Sequence, residues 1–194
     1  MEVLGPGDEE LLARRLREHA RRELDLPALP RAAVLVPLVD EEGAWSLVFT
    51  QRTDQVDTHQ GQVAFPGGHV EPSDAGVVEA ALREAHEEVG LPPHQVQVLG
   101  LANDAVSITH IHVTPVVGVV HGVFVPVLDD REVARVFRVP LAHLADPASR
   151  VETTTRQTPL GELVFPVFSG GPAPIWGLTA WILNELLPLL HKSS

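Results

Sequence analysis

Short apolar runs rich in β-branched residues, closed by turn chemistry and interleaved irregularly with a few helical periods, limit the fold of this chain more than any other feature. AAVLVPLV (32–39) and WSLVFTQ (45–51) flank the turn sequence DEEGA and read as a hairpin. QVQVLGLA (95–102), HIHVTPVVGVV (110–120), RVETTTRQ (150–157) and ELVFPVF (162–168) are further strand candidates. Pro115 inside HIHVTPVVGVV predicts an edge position or a bulge, because proline cannot donate to a ladder. Helical spacing is confined to four places. Leu12, Leu16, Ala20 and Leu24 recur every four residues from Glu9 to Leu24, ahead of Pro27 and Pro30. Ser73 or Asp74 can cap a helix that runs to Val89 and stops at Gly90. Pro140 to Ala145 and Trp176 to His191 complete the set. Strands and helices in this order show no regular βαβ alternation, so the class is α+β, a mixed β-sheet between helices. A length of 194 residues suits one globular domain, with residues 1–30 as an N-terminal helix and linker and 31–194 as the main body.

The most informative segment is FPGGHVEPSDAGVVEAALREAHEEVGL (65–91). At 100° per residue Val78, Leu82, Ala85 and Val89 share one face, predicted to pack on the sheet. Glu84 and Glu88 lie side by side on another face, with Glu87 beside them. Like charges at this spacing cost ~0.2–0.5 kcal/mol per pair. Glu87 and Glu88 also sit at the helix end that the macrodipole makes unfavourable for anions. A solvated acidic face is one reading. A hard divalent cation held by carboxylate oxygens is the other, and it supplies the missing compensation. Gly67-Gly68, just before the helix, can bring backbone groups close to a ligand, as phosphate-binding turns do.

The segment resembles the Nudix box, G-x5-E-x7-R-E-U-x-E-E-x-G-U, with U a bulky apolar residue. REAHEEVGL (83–91) matches its second half in spacing, with the small Ala85 at a U position. The first half is shifted by one residue: Gly68 comes one position early and Asp74 takes the acidic place. This insertion is similar to the coenzyme A pyrophosphatase-like subfamily. LVFTQRTDQVDTHQGQVAFPGG (47–68) loosely resembles that subfamily's upstream pattern, L-L-T-x-R-S-x3-R-x3-G-x3-F-P-G-G. Arg52, Gly61 and FPGG are present and Thr53 replaces Ser, but Asp57 stands where the second Arg is expected.

The resemblance implies a Nudix-type α/β/α sandwich that cleaves a nucleoside diphosphate linked to another group. It implies Mg²⁺ or Mn²⁺ as cofactor, with Glu84 and Glu88 as ligands, Glu87 next, and the Gly68 carbonyl as a further oxygen donor. Glu84 can instead orient or deprotonate water. Arg83 is expected to pair with Glu87 and fix its rotamer, and Arg52, Gly67 and Asp57 to face the substrate. The implied substrate is coenzyme A or a derivative, split to 3′,5′-ADP and phosphopantetheine. ADP-ribose, NADH, FAD or another nucleotide conjugate is the alternative. A non-catalytic nucleotide-binding module is the second alternative, but such a module should have lost the box carboxylates, which this chain keeps.

Other polar candidates have plainer readings. Asp74 is a helix cap or a water-mediated metal contact, and Glu132 is an acid from outside the box or a surface residue. His59, His110 and His112 read as structural, with the two histidines of HIH on one strand face. Trp45, Phe49, Trp176 and Trp181 read as core. Composition narrows the partners. A net charge of −12 argues against a phosphate-neutralising nucleic-acid binder. Zero cysteine excludes a disulfide scaffold, a Cys-based zinc site and a thiol nucleophile. No uncharged apolar run approaches the ~18 residues of a membrane span. The expectation is a soluble cytoplasmic protein with a small-molecule nucleotide-diphosphate partner, homodimerisation being left open.

Overall fold

The computed structural model describes residues 2–53, 61–158 and 161–192. Helix α1 (Glu9–Glu18) precedes the hairpin β1 (Arg31–Glu41) and β2 (Ala44–Arg52). Two short strands, β3 (Val63–Ala64) and β4 (Gly67–His69), lead into helix α2 (Val77–Val89). Strands β5 (Val96–Leu101), β6 (Ala105–Val106), β7 (His112–Val120) and β8 (Val133–Pro140) follow, then helix α3 (Leu141–Ala145). A separate two-stranded ribbon, β9 (Arg150–Thr158) with β10 (Gly161–Phe168), precedes helix α4 (Gly177–Leu190).

The main sheet is mixed. β1 runs parallel to β7 from Arg31↔His112 to Val39↔Val120, and the other pairings are antiparallel. β1 and β2 stay paired only from Leu38↔Leu47 to the turn, and β2 keeps β8 along its far side. Beyond that point β3 continues on β2 and β4 on β1, so the β3–β4 segment fills the wedge where the hairpin strands part. This wedge delivers Gly67 and Gly68 to the middle of the sheet rather than to its rim.

Helices cover both faces, which makes the architecture an α/β/α sandwich. On one face Leu12 and Leu16 of α1 and Leu183 and Leu186 of α4 pack with Trp45, Phe49 and Val117. Each such fully buried side chain contributes roughly 1.5–3 kcal/mol. On the other face Ala81, Ala85 and Val89 of α2 pack against Ala33, Leu35 and Val116. Alanines bring α2 close to the sheet, while Val78 and Leu82 remain half-buried at its flank. The buried stripe is therefore rotated from the valine–leucine face that spacing alone suggests.

Several local expectations are corrected. α1 ends at Glu18, not Leu24, because the next backbone groups are captured elsewhere: Arg22 N–H by Asn103 and Leu24 N–H by Asp104. α2 begins at Val77 after Gly76, and neither Ser73 nor Asp74 caps it. Pro115 lies in a central strand. Its carbonyl accepts Ala102 N–H where the pairing passes from β5 to β6, so the missing proline N–H falls at a break in the neighbouring strand. His110 sits outside β7 at φ 60° and is exposed, whereas His112 is buried, so the two do not share a strand face. Trp45 and Phe49 are core, but Trp176 and Trp181 are only half-buried, and Arg22 lies over the Trp181 ring. β8 was not anticipated, although its V-A-R-V-F-R-V sequence carries the strand composition. Among the described residues no helix is long and apolar enough to cross a membrane.

Candidate active site

Two glycines in β4 set the geometry. Gly67 lies so close to β1 that a Cβ would overlap the Ala33 carbonyl oxygen. Its N–H points away from that strand and donates to Glu88 Oε2 at 3.0 Å. At Gly68 a Cβ would overlap the Glu84 carboxyl group. The glycine turn and the acidic helix are thus one unit, with both carboxylates seated against bare backbone.

Arg83 organises the adjoining side chains. Its Nε and Nη2 grip both oxygens of Asp74 at 3.0 and 3.1 Å, and Nη2 also reaches the His69 carbonyl. Nη1 donates to Glu84 and to Glu87, each at 3.0 Å. The expected Arg83–Glu87 pair is present, within a wider network. Asp74, meant as a cap, instead anchors Arg83 and accepts Glu71 N–H. The hydrogen bonds from Arg83 hold the Asp74 carboxyl below its ordinary value.

The two seated carboxylates are both uneasy as anions. Burial pushes Glu88, only 6% exposed, up to about 7, against the opposing pull of the Gly67 N–H. The Glu84 and Glu132 charges add to this rise and Arg52 counters it. Burial likewise raises Glu84, opposed by Arg83 and reinforced by Glu87 and Glu132. Glu132 therefore lies near enough for its charge to act on both carboxylates, although it is exposed and distant in sequence. Arg52 also faces the cluster, and its Nε is buried without a hydrogen-bond partner among the described residues. Glu87 is 57% exposed and turned to Arg83. Asp57 and His59 lie outside the described residues.

The donor set suits a hard divalent cation, since it is made entirely of oxygens and includes two mutually repelling carboxylates, one buried and one half-buried. Among the described residues no three acidic or imidazole side chains already converge as a ready-made cage. Glu84, Glu88 and backbone oxygen could supply part of a site that substrate or water would complete, an arrangement that suits Mg²⁺. His112 takes no part. Its Nε2 bonds Asp104, which also accepts from Thr114, Arg21 and Leu24.

Sequence reasoning missed the Gly67–Glu88 bond, the Asp74–Arg83 grip and Thr53. Thr53 N–H bonds the Glu132 carbonyl and its hydroxyl bonds the Arg131 carbonyl, each at 3.0 Å. The upstream pattern includes position 53, but it carries no trace of the contact with Arg131, 78 residues away.

Comparison with known proteins gives a consistent result. The family model described as NUDIX domain matches residues 29–158. The chain is 40% identical over 164 residues to a protein of Enterobacter sp. (strain 638) named uncharacterized Nudix hydrolase NudL, covering 80% of each chain. The protein of the same name from Citrobacter koseri is 39% identical, again with 80% of each chain covered. Among solved structures, the Nudix hydrolase RenU from M. smegmatis superposes with a TM-score of 0.50 at 25% identity, over 60% of this chain and 74% of that one. The MutT NUDIX hydrolase from Burkholderia pseudomallei shares the fold with a TM-score of 0.50 at 16% identity, over 81% of this chain and 97% of that one.

Proposed function

The chain belongs to the Nudix hydrolase family, which acts on diphosphate bonds of nucleoside diphosphate derivatives, and from that premise we propose that it hydrolyses coenzyme A or a derivative with the help of Mg²⁺ or Mn²⁺. The observation that carries the catalytic part is the seating of Glu84 and Glu88 against Gly67 and Gly68, with Arg83 tied back to Asp74. The substrate part rests on the one-residue shift of the box and on FPGG with Arg52 upstream.

Glu84 and Glu88 would hold the cation, with Glu87 and the Gly68 carbonyl as further donors. When bound, such an ion neutralises charge on the phosphate oxygens and makes its water more acidic. The protein's own groups do the rest. Arg83 fixes the rotamers of Glu84 and Glu87 and leaves the substrate to others. Arg52, whose buried Nε–H has no hydrogen-bond partner among the described residues, is available for a phosphate oxygen. Glu132 makes no side-chain hydrogen bond among the described residues and is open to water, so it takes the proton from the attacking water. The water oxygen bonds to phosphorus as the bridging P–O bond breaks, and the departing phosphate leaves with that electron pair. The work is mainly positioning and charge stabilisation.

Asp57 favours a second reading of the substrate. The subfamily pattern has Arg there, and Asp removes a cation suited to the 3′-phosphate of coenzyme A. ADP-ribose, NADH and FAD therefore belong in the test. A panel of these compounds with coenzyme A and its dephospho form is incubated with Mg²⁺, and both products are identified by mass. We expect 3′,5′-ADP and phosphopantetheine from coenzyme A. Faster turnover of another conjugate would replace that substrate, and no cleavage of any would defeat the catalytic reading.

A further inference from the structure

The connection between β7 and β8 ends in a turn that the box residues do not explain. Asp129 carbonyl accepts the N–H groups of Glu132 and Val133 at 3.1 and 2.9 Å, closing the turn. The Asp129 carboxylate binds Arg131 through the backbone N–H, Nε and Nη2. Asp129 N–H donates to the carbonyl of Glu88 at 3.1 Å, so the turn is fastened to the backbone of a site residue. On its other side stands Thr53, just beyond β2 and 7% exposed. Its two hydrogen bonds, to the Glu132 and Arg131 carbonyls, hold the two residues on which the Glu132 side chain depends for its direction.

We infer that Thr53 is a positioning residue for hydrolysis, clamping the Asp129–Val133 turn, itself fastened to the Glu88 backbone, and so fixing where Glu132 stands beside the site. The inference rests on the pyrophosphohydrolase reading. The two seated carboxylates are engaged, Glu84 by Arg83 and Glu88 by Gly67, and the Glu132 charge is near enough to act on both. Glu132 makes no side-chain hydrogen bond among the described residues, but it is exposed, and a free surface glutamate would sample many rotamers and backbone positions. The clamp restricts the backbone part of that freedom from both sides, through β2 and through α2. Among the described residues the Thr53 hydroxyl serves no other acceptor, and its burial makes an unpaired Arg131 carbonyl costly.

The test is a double-mutant cycle on Thr53→Val and Glu132→Gln, with Thr53→Ser as the conservative control. Glu132→Gln should lower kcat by ~10²-fold, the lower end for loss of a general base. Thr53→Val should lower kcat ~10-fold with KM little changed, since misplacing a base weakens chemistry more than binding. Thr53→Ser, which keeps the hydroxyl, should restore most of kcat. In the double variant the Thr53 change should add nothing to Glu132→Gln. Wild-type-like kcat in Thr53→Val, or effects that multiply in the double variant, would overturn the inference. Asp129→Ala loosens the same turn from a partly exposed side chain and replaces Thr53→Val in the cycle if that variant melts early. Amide hydrogen exchange supplies a readout independent of turnover: residues 129–133 should exchange faster in Thr53→Val but not in Glu132→Gln. Unchanged protection there would overturn the clamp, whereas an inactive wild type with a protected turn would overturn only the hydrolase reading.

Discussion

Glu88 is a carboxylate that the folded chain finds hard to keep charged. Its value in the fold is about 7, against 4.5 for the free side chain, with burial as the main cause. A raised value means that Glu88 favours folding below the free value and that this advantage is lost as pH rises through about 7. In EDTA the wild type should therefore melt at lower temperature at pH 8 than at pH 5.5, as far as this group decides. Glu88→Gln keeps the Gly67 N–H acceptor and removes the charge. It should raise the metal-free melting temperature at pH 8 by roughly 3 °C, as ~1 kcal/mol or more does for a chain of this size. The gain should shrink at pH 5.5. The same variant should lose nearly all turnover with Mg²⁺. A variant that melts lower at pH 8, or that turns over normally, would show that Glu88 is not a strained, metal-seeking anion.

Where two elements touch through bare backbone, a single methyl group separates scaffold from chemistry. At Gly67 an added Cβ meets the backbone of β1, which cannot yield, so Gly67→Ala should cost ~3 kcal/mol and lower the melting temperature sharply. At Gly68 it meets the end of the Glu84 side chain, which can swing aside. Gly68→Ala should thus melt within a few degrees of wild type, yet lose ~10²-fold in kcat as Glu84 moves. Normal turnover in Gly68→Ala would remove Glu84 from the reaction. This contrast also separates what was readable in the sequence from what was not. The acidic positions of α2, its Gly90 stop and the long strands follow from local spacing, and so does the family pattern at 83–91. The wedge that places β4 between β1 and β2 does not, because it depends on β8 holding the far side of β2. The end of α1 was misread for a similar reason: Asn103 and Asp104 offer its next residues better partners than another helical turn. Asp74 looked like a cap because caps are its commonest role before a helix, and only the folded turn shows it holding Arg83. Nothing local could reveal that Thr53 fastens the turn before β8.

The N-terminal segment, the sheet edge and α4 are joined at one buried anion. Asp104, 1% exposed, accepts from Arg21 and Leu24 of the segment after α1 and from His112 and Thr114 of β7. Its neighbour Asn103 reaches Glu185 of α4, and Arg22 covers Trp181 of the same helix. Burial alone would raise the Asp104 carboxyl. The hydrogen bonds from Leu24, His112, Arg21 and Thr114 outweigh burial and hold it below the ordinary 3.8. A depressed value contributes stability that is complete above the unfolded value and is lost as pH falls through the folded one. Asp104→Asn keeps the shape but leaves Arg21 without its buried counter-charge, at a cost of about 3 kcal/mol near pH 7. Urea unfolding at a series of pH values should show wild type ahead of the variant by a constant margin from pH 7 down to about 4, with the margin closing below that. Limited proteolysis at pH 7 should cut Asp104→Asn within residues 19–30 well before wild type, because these residues lose their grip on the sheet. A margin that stays constant to pH 2 would mean that the Asp104 charge is not what ties the segment down. Equal cleavage of the two proteins would mean that Asn103 and the Leu12–Leu16 packing hold the segment without it.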